Sequence, residues 1–351
     1  MSWDNVKGVS SAQIWTDNPD MTQAYLFANG NHQVKLTVGL SLTLSDATQP
    51  GPTEDEVKAA LTLVDYETGA GVRFIKTGAK GGYDYVYQPN MSATINVLSA
   101  SDTSNPGAYQ YELDYYVSSD STINANYASE KVALFLSYIN SSGAEVDYNT
   151  ASGSKSQSYV AVTVYPPKRY GTSDSSSTPV IIKLKDDEPE YKISNHPSGT
   201  LEINDSNVSI YSLLIDDGNF RIISYLGSSS IYPFHTDSDL VQQDGDQWQY
   251  TATENYLIPD NKLNEGSTTY SSQLQFVYNK SQGNIFTIDV NVSQEPNEII
   301  FIKVWSKFFI VNETFSDNDG TSSFSAYDQF GNIINIEVAS TNDGFNIKNV
   351  T

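Results

Sequence analysis

His32, His196 and His235 are the whole supply of imidazole in the chain, and no cysteine accompanies them. Thiol nucleophiles, disulfides and cysteine-based zinc sites are thereby excluded. No Gly-x-Ser-x-Gly elbow is present to expose a nucleophilic serine. His235 has Asp237 and Asp239 nearby, but neighbours on one loop rarely form a triad. Ser152-x-x-Lys155 has a minimal Ser–Lys spacing, in a Gly/Ser-rich stretch that reads as a loop. Gly69-Ala70-Gly71 joins two strand-like runs instead of opening a helix, so it reads as a turn rather than a dinucleotide cradle. Neither a His-Glu-x-x-His pair nor a Walker loop occurs. These residues point away from catalysis, and the expectation is a non-enzymatic protein.

Binding chemistry is better represented. Calcium takes six to eight hard oxygens and suits acidic loops, and Asp186, Asp187, Glu188 and Glu190 cluster as its best candidates. Asp317 and Asp319 come second, without the full Asp-x-Asp-x-Asp-Gly pattern. Along residues 299–311, one face carries Ile300, Ile302, Val304, Phe308 and Ile310 and reads as core. The opposite face carries Phe301, Lys303, Trp305, Lys307 and Phe309, rings interleaved with cations. Such a face could stack sugars or dock an acidic partner; packed between layers, it would be core with its lysines reaching outward. Tyr83, Tyr85 and Tyr87 form a second one-sided row with the same two readings.

The elements that must position these residues are strands. From His32 onward, Val34, Leu36, Val38, Leu40, Leu42 and Leu44 alternate with Lys35, Thr37, Gly39, Ser41 and Thr43, a period of two with one face buried. Asn29-Gly30 supplies a turn before it. Residues 32–44 are long for a strand, and Gly39 marks the place for a bulge or bend from one sheet to another. Similar alternation recurs at 109–117, 132–138 and 160–164. Thr53-x-x-Glu56 is a capping box, followed by Val57, Ala60 and Leu61 at helical spacing, so one short helix is expected near 53–60. In the second half, Asp217-Gly218, Asp244-Gly245 and Asp319-Gly320 read as hairpin turns.

The chain of 351 residues is long enough for two ordinary domains. Its 24 tyrosines and 14 phenylalanines suit half-buried sheets. The expected fold is all-β: two antiparallel sandwich domains, immunoglobulin-like or jelly-roll-like, over 1–186 and 187–351, divided at the acidic, proline-bearing junction 186–190. A net charge of −23 repels phosphate backbones and argues against nucleic acid as a partner. No secretory signal is visible at the N-terminus, and the longest apolar run, 299–311, is too short for a membrane helix.

The stretch Ala28-Asn29-Gly30-Asn31-His32-Gln33-Val34-Lys35-Leu36-Thr37-Val38 resembles the opening of bacterial immunoglobulin-like repeats of the invasin and intimin type. In those repeats an Ala-x-Gly turn introduces a long alternating strand. They are usually shorter than the first domain expected here and lack a helix like that at 53–60. The resemblance implies a sandwich and a surface or adhesive role, and carries no functional residue across.

The leading functional expectation is a bacterial or phage protein, extracellular or particle-associated, that binds a host-surface glycan or protein or serves as a structural, adhesive component. A secreted toxin is the alternative. It rests on a hairpin of 131–139 and 152–165, joined by polar 140–151, whose strands reach the length a membrane barrel needs. A glycan-active hydrolase is the third reading, because a carboxylate pair is set by distance in space and 42 acidic residues leave it unselected. Self-association stays open, since the sequence does not say which strands are edges.

Overall fold

The computed structural model describes residues 2–18, 21–88, 109–119, 128–171, 182–187, 191–194, 202–225, 232–243, 247–257, 268–279, 284–294, 298–310, 321–341 and 344–350. Strands dominate, and the chain divides into two units. The first comprises Met1–Lys168 with the short segment Phe330–Asn332, and the second comprises Arg169–Gln329 with Ile333–Thr351.

The first unit holds β1 (Val6–Thr16), β2 (Gln23–Phe27), β3 (Gln33–Leu44), α1 (Glu54–Ala60), β4 (Leu61–Asp65), β5 (Lys76–Gly78), β6 (Tyr111–Ser118), β7 (Ala128–Ile139), β8 (Glu145–Asn149) and β9 (Val160–Tyr165). One sheet has the antiparallel order β1-β3-β6-β5. The other has the order β2-β9-β7-β4, with β8 also paired to β7; β2 and β9 run parallel and the remaining pairs antiparallel. Alternation gives each sheet one apolar face, and the two faces share a single core. Leu36 and Leu40 of β3, Leu134 and Leu136 of β7, and Val162 of β9 are all buried in it. Each such side chain withdrawn from water contributes about 1.5–3 kcal/mol. This unit is a β-sandwich.

The strand expected at 32–44 forms as β3, with its alternate apolar residues from Val34 to Leu42 buried. The bend expected at Gly39 does not form. Gly39 pairs without interruption to Gln13 on one side and Glu112 on the other, and β3 stays in one sheet. The irregularities lie on the partner strand, between Val6 and Gly8 and between Val9 and Ser11.

The helix begins where the capping box places it. Glu56 N–H donates to Thr53 Oγ1 at 3.3 Å and Thr53 N–H donates to Glu56 Oε2 at 2.8 Å, so two otherwise unpaired donors are satisfied. The backbone turns extended again at Leu61, and Val57 anchors the helix in the core. Thr53→Ala is expected to destabilise the protein by about 1 kcal/mol, read from the urea midpoint.

The second unit holds β10 (Ile182–Asp187), β11 (Tyr191–Ser194), β12 (Glu202–Ile215), β13 (Ile222–Tyr225), β14 (Tyr232–Gln243), β15 (Gln247–Leu257), β16 (Thr268–Asn279), β17 (Asn284–Gln294), β18 (Ile299–Ile310), β19 (Thr321–Asp328), β20 (Ile333–Thr341) and β21 (Gly344–Val350). Its antiparallel sheets run β10-β12-β18-β15-β14, β11-β17-β16 and β13-β19-β20-β21. The strand at 182–187 therefore hydrogen-bonds within the second unit, whose first residue, Arg169, follows Pro166-Pro167 closely. Of the expected hairpin turns, Asp217-Gly218 forms a turn, with Phe220 N–H donating to the Asp217 carbonyl at 2.9 Å, but it joins β12 to β13, which lie in different sheets and do not pair as a hairpin. Asp244-Gly245 and Asp319-Gly320 lie outside the described residues.

Two local arrangements differ from expectation. Residues 140–151 are not a plain loop: they contain β8, entered by the Gly143 turn. β7 is flanked by β4 on one edge and by β8 and β9 on the other, so 131–139 is an interior strand of its sheet rather than one arm of a free hairpin. Among the described residues no helix is long and apolar enough to cross a membrane.

Candidate functional site

β8 and the loop that follows it enclose a shallow cleft of about 370 Å³, lined by Asp147, Tyr148, Asn149, Ser152, Gly153, Ser154 and Lys155. That volume falls within the range of small-ligand sites. The loop is held firmly. Thr150, fully buried, accepts from Leu134 N–H at 3.2 Å and donates to the Ser158 carbonyl at 2.8 Å, fastening both ends of the loop to β7. Ser152 N–H donates to the Tyr66 carbonyl, and Ala151 is buried with Val64, Tyr66 and Ala133. Gly153 takes φ +81°, the left-handed conformation that a glycine adopts freely.

Ser154 Oγ donates to the Ser156 carbonyl at 3.1 Å within the loop, but other polar side chains lining the cleft are not spent on holding it. Among the described residues, Asp147, Asn149, Lys155 and the Tyr148 hydroxyl make no hydrogen bond or ion pair. A carboxylate, a carboxamide and an ammonium thus stand around one cleft with their capacity unused, while the Tyr148 ring packs against the sandwich core. Asp147 is its only carboxylate, so the cleft lacks the acid pair of a glycosidase. Ser152 and Lys155 both line it, but the backbone between them is a turn rather than a helix and no hydrogen bond joins them.

An aromatic pair lies at the far end of the same loop. The rings of Tyr66 and Tyr159 are 4.5 Å apart, and Tyr66 donates its hydroxyl to Gln157 at 2.9 Å. The Lys131 ammonium lies 5.5 Å and 5.1 Å from the two ring centres. Its 2.7 Å hydrogen bond to Glu67 raises its pKa above the ordinary lysine value. Sequence reading passed over Asp147, Tyr148 and Asn149. Their one signal is a short polar–aromatic strand beside a Ser/Gly-rich turn, which any solvent-facing hairpin also shows.

The tyrosine row keeps its one-sidedness without forming a strand. Tyr83, Tyr85 and Tyr87 are partly buried, while Asp84 and Val86 between them are exposed. Their rings nevertheless go to two places. Tyr85 packs 5.2 Å from Tyr116 and donates to the Gly81 carbonyl, with the Lys80 ammonium 5.8 Å and 6.0 Å from the two rings. Burial raises the Tyr85 pKa, and the Tyr116 and Asp84 oxygens add to it. Tyr87 instead joins Phe27 at 4.5 Å and Phe330 at 5.2 Å, and Tyr83 lies against Gly331.

On β18, Phe301 is 0% exposed and packs 5.9 Å from Phe324, while Ile300 and Ile302 on the opposite face are also buried. Both faces are core at this end, and Phe301 has no surface to offer a ligand. The side chains of Trp305 and Phe309 lie outside the described part of the structure. The backbones of Asp186 and Asp187 pair in register with Tyr211 and Ile210, whereas Glu188, Glu190, Asp317 and Asp319 lie outside the described residues. Among the described residues no group of three or more His, Asp and Glu side chains is placed to hold a metal.

No family model matches the sequence, and no curated protein is detectably similar to it.

Proposed function

We propose that this chain is a non-enzymatic β-sandwich protein that binds a host-surface glycan, with the cleft over β8 as its binding site. The observation that carries this reading is the set of unused polar groups on β8 and the pinned loop after it: Asp147, Asn149 and Lys155. Sugar hydroxyls both donate and accept, so a carboxylate beside amide and ammonium donors complements them. A purely apolar ligand would leave those groups unpaired, which costs about 1–3 kcal/mol for each one buried. Work outside the cell or aboard a particle fits an acidic protein that dispenses with disulfides. The invasin-like turn and strand at 28–38 agrees with an adhesive role.

A glycan array probed with the full chain tests the proposal. Binding is expected, and Asp147→Ala or Asn149→Ala should weaken it at least tenfold while leaving thermal stability unchanged. An array with no positive, or binding that survives both substitutions, overturns the assignment. Loss on Tyr85→Ala alone would move the site to the Tyr85–Tyr116–Lys80 patch.

A further inference from the structure

We propose that His32 and the segment Phe330–Asn332 form an acid-sensitive latch, in which protonation of the buried imidazole releases the segment from its seat. This inference is independent of the glycan site.

The seat is built by the turn before β3. Asn29 Oδ1 accepts the N–H groups of Asn31 and His32 at 2.9 Å and 2.7 Å, and Gly30 takes φ +78°. That fixes the Asn29 amide, which donates to the Phe330 carbonyl at 3.0 Å and to Asn332 Oδ1 at 2.8 Å. The Asn31 amide donates to the Gly331 carbonyl at 3.0 Å, and Lys168 N–H donates to Asn332 Oδ1 at 3.1 Å. The fit is close: a Cβ on Gly331, at φ +73°, would stand 2.5 Å from the Asn31 Cβ. The segment is docked by several specific bonds and covers what lies beneath it.

Beneath it lies His32, 0% exposed, with its ring 5.1 Å from Phe330 and 5.5 Å from Phe27. Its Nδ1 accepts Phe27 N–H at 3.0 Å, which places the single ring proton on Nε2, an atom with no partner among the described residues. A second proton would go onto Nδ1, directly facing the Phe27 N–H. An acceptor would become a donor opposed to a donor, and a buried charge would appear.

The surroundings offer that charge no compensation. The titratable groups on the segments around it are the phenols of Tyr83, Tyr87 and Tyr165, the cation Lys168, exposed Asp84, and buried Asp328, whose carboxylate accepts the Tyr170 hydroxyl. Burial alone holds the His32 pKa down, to about 3 against an ordinary 6.5. A depressed pKa gives stability that is full above about 6.5 and is lost as pH falls towards about 3. The ring is covered by Phe330 as well as Phe27, and opening it means lifting 330–332 from its hydrogen bonds, whereas β3 and β7 stay anchored in the core. At pH 5 the open state gains about 30-fold over its value at neutral pH, tenfold for each unit below 6.5.

Hydrogen–deuterium exchange of the full chain at pH 7.5 and 5.0, corrected for intrinsic rates, reads the latch. Peptides covering 27–34 and 329–334 are expected to open about 30-fold more often at pH 5.0, with β7 peptides unchanged. His32→Gln should flatten that difference. Equal protection at both pH values, or a difference that persists in H32Q, overturns the proposal. Proton NMR of a His196→Gln, His235→Gln background gives a check that does not require H32Q to fold. There His32 should stay neutral in the closed state down to pH 5, and titration near 6.5 with the segment still protected sinks the latch.

Discussion

Replacing Gly39 with alanine is expected to destabilise the first unit by about 1–3 kcal/mol, a fall in Tm of roughly 3–10 °C. Gly39 lies on the outward face of β3, yet it is buried, because the rings of Trp15 and Tyr109 close over it with centroids 5.7 Å apart. A Cβ there would meet the Tyr109 ring at 2.5 Å and 2.6 Å and the Trp15 ring at 2.8 Å. Neither ring is a floppy side-chain end: Tyr109 is tied through its hydroxyl to Gln13 at 2.7 Å, and Gln13 itself pairs with Gly39 across the sheet. The methyl group must therefore push a ring off the strand. Because the clash is with a named partner, Tyr109→Ala should relieve it, and Gly39→Ala with Tyr109→Ala should be less destabilised than the sum of the two by about 1 kcal/mol. Additivity within about 0.5 kcal/mol would show that the rings are not what the glycine accommodates.

Glu130→Ala is expected to cost about 2–4 kcal/mol in urea unfolding, and Glu130→Gln roughly half as much. Glu130 occupies a core-facing position of β7, in phase with Val132, Leu134 and Leu136, and its side chain is fully buried. Its two oxygens accept Arg73 N–H at 2.8 Å and Phe74 N–H at 3.0 Å. The carboxylate clamps the chain leading into β5. The Arg73 guanidinium, 4.0 Å away and 68% exposed, is too well solvated to add much. Truncation leaves two part-buried backbone donors without acceptors, and their amide exchange should accelerate with the loss of stability. Glutamine keeps one acceptor and so should lie between. A Glu130→Leu variant as stable as the parent would show that the clamp is dispensable.

Both residues show where sequence reading stops. Alternation at 132–138 was legible, and extending it two residues back puts Glu130 on the core face; what could take up its oxygens was not, because Arg73 and Phe74 lie more than fifty residues away. Gly39 was legible as an anomaly in a strand, and a bend was the local inference. The actual cause, a ring from Tyr109, lies outside any local window. The regular spacing of Tyr83, Tyr85 and Tyr87 predicts one platform. The rings separate because their partners, Tyr116 for one and Phe27 with Phe330 for another, come from different parts of the chain.

The sequence by itself determined the strand character of β3, β6, β7 and β9, the helix with its capping box, and the sandwich class, because each depends on periodicity and capping within a few residues. Only the tertiary structure decided which strands neighbour one another, that Gly39 underlies two rings, that His32 is sealed beneath Phe330, and that Asp147, Asn149 and Lys155 converge on one cleft. Those outcomes depend on contacts between residues far apart in the chain, and the alternation that makes a strand does not specify its partner.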